Sequence, residues 1–393
     1  MAGGPLRIAI LATSTSPRGS VAHALAVGEA LCDLGHEAVV HAPDPTGRGF
    51  YRDARCPVVS VAARPVGGST ADLVRARIEE TLRHFATPAA CDFDVFHAQC
   101  GIGGNALATL SRRRLVHGFV RTVHDLETFA DPQFAYWQDR AIYDANRLLC
   151  VGRAAAEALA RDHGVAAQVV GNGVDQTRFR PEPAPGDAAL RLRWGLGAGP
   201  VVLCLGGFEE RRNALGVIEA FHCLRRDRPQ AQLLVVGGGS ILDHSGYQAR
   251  CRAALDRAGL DVGIGRAVIQ AGLVPQDAMP GLYRLADLLA APALRGGFGP
   301  GVLEAMACGT PVVGAARAPF SDVLAPTDAL LVDPEDAGAL ADAFRAALAP
   351  AEAERLAAAG RRVAARHGWA ACASRHLGAY QACSRRNRAT ADA

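Results

Sequence analysis

The chain has 393 residues, half of them apolar, with 42 basic and 39 acidic side chains. That length exceeds one ordinary core and suits two domains, and the near-neutral charge argues against a nucleic-acid partner, which wants a strongly basic face. All 42 basic residues are arginine, which excludes Schiff-base chemistry and a phosphate loop ending in Gly-Lys-Ser/Thr.

Short apolar runs alternate with longer segments of helical periodicity, the pattern of βα units around a parallel sheet. Leu6–Ala12 reads as a buried first strand, too short and wrongly flanked for a cleaved leader. Ser20–Leu34 is the first helix, closed by Gly35, and Glu37–His41 the second strand. Helix Ser69–Phe85, strand Phe93–Ala98, helix Asn105–Arg113 and strand Gly118–Val123 follow. Strand Leu148–Val151, helix Arg153–His163 and the short strand Gln168–Val170 complete this half.

Pro181-Glu-Pro-Ala-Pro-Gly-Asp187 is polar and rich in proline, and reads as a linker. The pattern then restarts with strand Pro200–Leu205, helix Ala214–Arg226 and strand Gln232–Val236, which runs into Gly237-Gly-Gly239. Further strands are expected at Ala267–Ala271, Asp287–Ala291 and Pro311–Val313. Helices are expected at Met279–Leu285, Val302–Ala307, Ala337–Leu348, Ala351–His367 and Ala370–Ala382. The expected fold class is therefore α/β, two Rossmann-like doubly wound parallel-sheet domains facing across a cleft. The expected bounds are 1–183 for the first domain and 188–368 for the second. A helix over 369–383 is expected to pack back on the first domain, and 384–393 to form a disordered tail.

The 11 cysteines are scattered, without C-x-x-C or Cys/His zinc spacing. They read as small buried hydrophobes in a reducing compartment, with no metal site. No apolar stretch is long enough to span a membrane, and a cytoplasmic location is expected.

The chemistry is concentrated in Arg295-Gly-Gly-Phe-Gly-Pro-Gly-Val-Leu-Glu304, a glycine-rich turn between a strand and a helix. Glycines let backbone approach a ligand, and the amides of Gly301, Val302 and Leu303 are unpaired at a helix start. With the helix dipole they form an anion site suited to a diphosphate. Glu304, in the first turn, is placed to accept hydrogen bonds from ribose hydroxyls. A plain tight turn with an acidic residue favoured by the dipole is the alternative.

The run Pro292-Ala-Leu-Arg-Gly-Gly-Phe-Gly-Pro-Gly-Val-Leu-Glu-Ala-Met-Ala-Cys-Gly-Thr-Pro-Val-Val313 resembles the signature of glycosyltransferase family 4. Further marks of that family appear in order: Leu34-Gly-His-Glu37, Asp94-Val-Phe-His97, Thr122-Val-His-Asp125, Asn172-Gly-Val-Asp175 and Leu331-Val-Asp-Pro334. Ser16-Pro-Arg-Gly-Ser20, His97-Ala-Gln99 and Ala318-Pro-Phe-Ser321 resemble an actinobacterial-type subgroup. The resemblance implies a GT-B fold and retaining, metal-independent transfer of a sugar from a UDP- or GDP-type donor. The nucleoside-diphosphate sugar is then a co-substrate, with no cofactor, and the acceptor a small molecule, glycan or lipid.

By that resemblance Arg212, in Gly206-Gly-Phe-Glu-Glu-Arg-Arg-Asn213, takes the place of a lysine that clamps the diphosphate. His124 is the catalytic histidine that donates a hydrogen bond to the transferred sugar. In Ser16-Pro-Arg-Gly-Ser20, Arg18 and the amides of Gly19 and Ser20 face the distal phosphate or the acceptor; Ser20 serves equally as an N-cap. His97, Gln99 and Asn105 are assigned to an acceptor pocket, with structural roles as the alternative.

Three residues depart from the family pattern. Gly207 replaces an arginine, for which Arg211 is a partial substitute; Gly296 replaces a glutamate that contacts sugar hydroxyls; Ala293 replaces a serine. Pro300, at the helix start, removes one amide donor. These departures leave open a nucleotide-sugar-binding protein or scaffold that has lost transfer, and, as a third possibility, an epimerase. The cluster Arg112-Arg-Arg114 reads as a solvated helix end, with peripheral membrane contact as the alternative.

Overall fold

The computed structural model describes residues 4–238, 244–296 and 298–384. Of the expected tail only Ser384 falls within them; the rest of it, together with Gly239 and Gly297 of the glycine-rich turns, lies outside the described residues. The chain divides into two units, 1–173 with 369–393, and 174–368.

The first unit opens with β1 (Arg7–Leu11), α1 (Gly19–Asp33), β2 (Glu37–Asp44), β3 (Val58–Ala62) and α2 (Thr70–Phe85). It continues with β4 (Val95–Ala98), α3 (Gly101–Arg112), β5 (Val120–Val123) and α4 (Pro132–Tyr143). β6 (Arg147–Cys150), α5 (Arg153–His163) and β7 (Gln168–Val169) follow. The second unit starts with α6 (Gly186–Trp194), β8 (Val201–Leu205), α7 (Ala214–Asp227), β9 (Gln232–Val236) and α8 (Ser245–Arg257). β10 (Val268–Gly272), α9 (Met279–Leu285), β11 (Leu288–Ala291), α10 (Pro300–Ala307) and β12 (Val312–Ala315) come next. α11 (Phe320–Val323), β13 (Leu330–Val332), α12 (Ala337–Ala347) and α13 (Pro350–Ala365) complete it, before α14 (Trp369–Cys383) returns to the first unit.

All strand pairs are parallel. The first sheet runs β3-β2-β1-β4-β5-β6-β7 and the second β10-β9-β8-β11-β12-β13. Each order reverses once, between β1 and β4 and between β8 and β11, where a doubly wound sheet places its ligand crevice. Both faces of β1 are buried, as parallel strands require: Ile8 and Ile10 pack with α1 and α14, Ala9 and Leu11 with α2 and α3. In the second unit Val201 and Leu203 face α9, α10 and α13, while Val202 and Cys204 face α7, α8 and α12.

Two segments differ from their expected bounds in ways that matter for the site. α3 starts at Gly101 rather than Asn105, because its first turn is built from glycines that weaken the helical signal. The Pro181–Asp187 segment belongs to the second unit instead of separating two domains. Asp187 there accepts from Arg284 Nε and Nη2 at 2.8 and 2.7 Å, a bidentate pair that ties the segment to α9. α14 lies against α1 and inserts Cys372, Ala373 and Tyr380 into the first unit's core.

Candidate functional site

In the second unit the loops after β8 and β11 meet at the switch point. The amide of Leu294 donates to the Arg211 carbonyl at 2.9 Å, and that of Arg295 to the same oxygen at 3.4 Å. The turn Glu210–Arg212 is thereby fixed beside the loop that leads into α10. Arg212 lies along Gly206, whose backbone has φ +100°; a Cβ there would stand 2.9 Å from Arg212 Cγ. Arg211 is turned to Glu209, Nε to Oε2 at 3.0 Å, so it is engaged in an ion pair rather than held in reserve as a second phosphate cation.

α10 is capped by Gly299, with Pro300 at its first position. The Val302 amide is not an unpaired donor, as expected from the sequence, because it bonds the Gly299 carbonyl at 3.1 Å. The Gly301 amide, one residue earlier, has no preceding turn to bond. A Cβ at Gly301 would crowd Leu205 Cδ1 at 2.9 Å and the Tyr283 hydroxyl at 3.1 Å. That hydroxyl donates to Glu304 Oε2 at 2.9 Å. Burial, with Glu304 beside it, pushes the Tyr283 phenol well above its ordinary range, so it stays a donor. Tyr283 is a site residue missed from the sequence, since nothing local distinguishes it from a core aromatic on α9.

Two of the three departures lie on backbone that favours glycine. Gly207 has φ +67° and sits against Gly237 and Gly238; a Cβ would lie 3.0 Å from the Gly238 nitrogen. Gly296 has φ +58°, in the left-handed region that disfavours side chains. Ala293 is buried in the core that includes Phe298 and Phe320. The backbone at Gly207 and Gly296 is thus built around glycine.

In the first unit His124 follows β5 directly. Its Nε2 lies 2.7 Å from Gln99 Oε1. With the Gln99 oxygen facing it, this contact needs the proton on Nε2 and leaves Nδ1 as an acceptor. The ring nitrogen in this contact is thereby engaged with Gln99. Burial, then the Arg121 cation, pushes its pKa down to about 3, so the ring is neutral.

His97 and Asn105 are fully enclosed, and Gln99 is 1% exposed. His97 bonds Thr122 Oγ1 and the Tyr380 hydroxyl, each at 2.8 Å. Asn105 donates to the carbonyls of Gly101 and Trp137, and its own oxygen accepts from Arg140 Nη1. The polar groups of His97 and Asn105 are directed at protein partners and not at a pocket, because both side chains lie in the packed interior. His23 and His376 extend this group, with ring centres 5.0 Å from His124 and 5.6 Å from His97 respectively. At the start of α1 the N-cap is Arg18, without a side-chain capping bond; Gly19 and Ser20 are helical, so Ser20 is not the cap.

Among the described residues no cluster of three His, Cys, Asp or Glu side chains is placed to hold a metal ion. No helix among them is long and apolar enough to cross a membrane.

Two Rossmann-like units, the second carrying a glycine-rich helix start and an arginine turn at its switch point, define the GT-B class of architecture. Residues 17–178 match the model of Glycosyltransferase Family 4, and residues 191–363 that of Glycosyl transferases group 1. The chain belongs to this glycosyltransferase family. It is 30% identical over 315 residues to D-inositol 3-phosphate glycosyltransferase of Xylanimonas cellulosilytica, covering 75% of this chain and 73% of that one. It is 36% identical over 206 residues to the GDP-mannose-dependent alpha-(1-6)-phosphatidylinositol monomannoside mannosyltransferase of Mycolicibacterium smegmatis. That match spans 50% of each chain, so the chain covers about half the length of this relative. Among solved structures, sucrose-phosphate synthase from Thermosynechococcus elongatus aligns with a TM-score of 0.76 at 21% identity, over 96% of this chain and 98% of that one. Anabaena HepE in complex with UDP and glucose aligns at 0.75 and 19%, over 96% and 99%. At these identities the structures speak for the fold.

Proposed function

We propose that the chain is a retaining, metal-independent glycosyltransferase of the cytoplasm that takes its sugar from a UDP- or GDP-type donor. The observation that carries this reading is the hydrogen bond joining Leu294 to Arg211, which fixes the Glu210–Arg212 turn beside the loop that leads into α10, the helix carrying Glu304. A cation, a helix start and a carboxylate together suit the diphosphate and ribose of a nucleotide. The GDP-mannose named for the M. smegmatis relative and the UDP held by Anabaena HepE support the same donor class.

In the proposed reaction the bond from the anomeric carbon to the diphosphate breaks, and its electron pair goes to the phosphate oxygen. Arg212 and the Gly301 amide stabilise the charge that develops there. The acceptor hydroxyl attacks the anomeric carbon from the same face and gives its proton to the departing phosphate oxygen. We assign His124 to orienting a sugar hydroxyl through Nδ1, a fixed acceptor that needs no proton transfer.

A second reading, a binding protein without transfer, is favoured by the left-handed backbone at Gly207 and Gly296, where residues that read the donor are replaced. Incubation with UDP-, GDP-, ADP- and TDP-sugars and a panel of acceptors, monitored for nucleotide release, tests the first reading. Acceptor-dependent release supports it. Nucleotide binding by calorimetry with no release under any combination supports the second reading instead.

A further inference from the structure

Arg121, on β5, is 5% exposed, and its Nε and Nη1 have no hydrogen-bond partner. Among the described residues no carboxylate pairs with it. A buried cation without a counter-charge is costly, and proteins rarely keep one without a ligand or partner to offset it. Its position is built deliberately by glycines. A Cβ on Gly104 would lie 3.1 Å from Arg121 Nη1 and one on Gly101 3.7 Å from it, so the guanidinium lies against the first turn of α3.

That turn offers further donors. The Gly101 and Ile102 amides open a helix of 12 residues and have no earlier turn to bond. The next amide, of Gly103, goes to the Cys100 sulfur at 3.4 Å. Cys100 and Gly101 are partly exposed, whereas Arg121 is buried with its Nη1 close to Gly101, so these donors lie next to a solvent-facing edge. The helix start adds about half a positive charge to the full charge of the guanidinium. Arg121 stands three residues before His124, at the carboxyl edge of the sheet beside its switch point.

We propose that Arg121 and the first turn of α3 bind a phosphate group carried by the acceptor. A tetrahedral phosphate meets a forked guanidinium and two helix amides at once. The proposal rests on the glycosyltransferase reading for the word acceptor; the phosphate site itself does not.

The test is made in the full chain carrying Arg212→Ala, which removes the donor-side cation. Inorganic phosphate, glycerol phosphate and dimethyl phosphate are titrated at millimolar concentration while the melting temperature is read. Inorganic phosphate is expected to raise it by roughly 2–4 °C, and adding Arg121→Gln is expected to abolish the rise. Gly101→Asp supplies an internal carboxylate at the mouth; it should raise the melting temperature by itself and also abolish the response. This second variant decides the matter where Arg121→Gln fails to fold. A response to glycerol phosphate alone points to a soluble phosphomonoester acceptor, and one to dimethyl phosphate also to a phosphodiester such as a lipid headgroup. No rise with any probe, or a rise that survives both substitutions, overturns the site. UDP and GDP binding to the unmodified chain is measured separately, so loss of the donor reading and loss of the phosphate site are distinguishable.

Discussion

The Tyr283 hydroxyl donates to Glu304 across 2.9 Å and at the same time stands 3.1 Å from the point where a side chain at Gly301 would begin. One buried phenol therefore orients the carboxylate proposed to read the ribose and crowds any side chain at Gly301. Tyr283→Phe is expected to cost roughly 1–2 kcal/mol of stability and to weaken UDP or GDP binding several-fold. Urea denaturation and calorimetry measure the two effects; unchanged nucleotide affinity would show that Glu304 needs no such orientation.

Arg212→Ala should weaken nucleoside diphosphate binding by roughly 10–100-fold, the scale of a lost hydrogen bond to a charged group. Arg211→Ala should do less, because Arg211 is already paired with Glu209. Calorimetry on both variants ranks them, and an equal or reversed ranking would transfer the phosphate-binding role to Arg211.

Gly296 is held at φ +58°. Gly296→Ala should cost about 1–2 kcal/mol through the left-handed backbone, and Gly296→Asn distinctly less, since asparagine tolerates that conformation. Restoring the family's glutamate there should destabilise the chain rather than improve transfer. Chemical denaturation of the three variants tests the order, and a stable, more active Gly296→Glu chain would overturn it.

Burial pushes His41 and His124 down to about 3 and His376 to about 4. The unfolded chain takes up these protons near pH 6.5, whereas the folded chain resists them until pH 3–4. Their stabilising effect is therefore complete above pH 6.5 and is lost as pH falls through that window. Each contributes a slope of about 1.4 kcal/mol per pH unit. Denaturation midpoints measured between pH 7 and pH 5 should fall steeply, and His376→Leu should flatten the fall by one histidine's share. A midpoint independent of pH would contradict the burial of the group.

Much of the fold was legible because each doubly wound strand is a short apolar run and each helix a periodic one. β1, α5, β9 and α9 lie within a residue or so of their expected bounds. α3 was started too late because its first turn is glycine, and α6 was missed because proline and glycine at its start read as a linker. The donor segment was visible as a glycine-rich turn followed by Glu304. Tyr283, Arg121 and Tyr380 were not, because their roles depend on what lies opposite them in three dimensions. Tyr380 bonds His97 from 283 residues away, and no local pattern announces such a partner.

α14 also dictates an order of assembly. The second unit is continuous in the chain and is synthesised whole before its last neighbour emerges, so it is free to fold during translation. The first unit is split: its sheet appears early, but the Cys372, Ala373 and Tyr380 side chains that cover one face arrive last. Until then the apolar face around Ile8, Ile10 and Val40 has α1 but lacks the rest of its cover, and His97 lacks its tyrosine. A nascent chain stalled just short of α14 would thus present a finished second unit and an unsealed first one to chaperones.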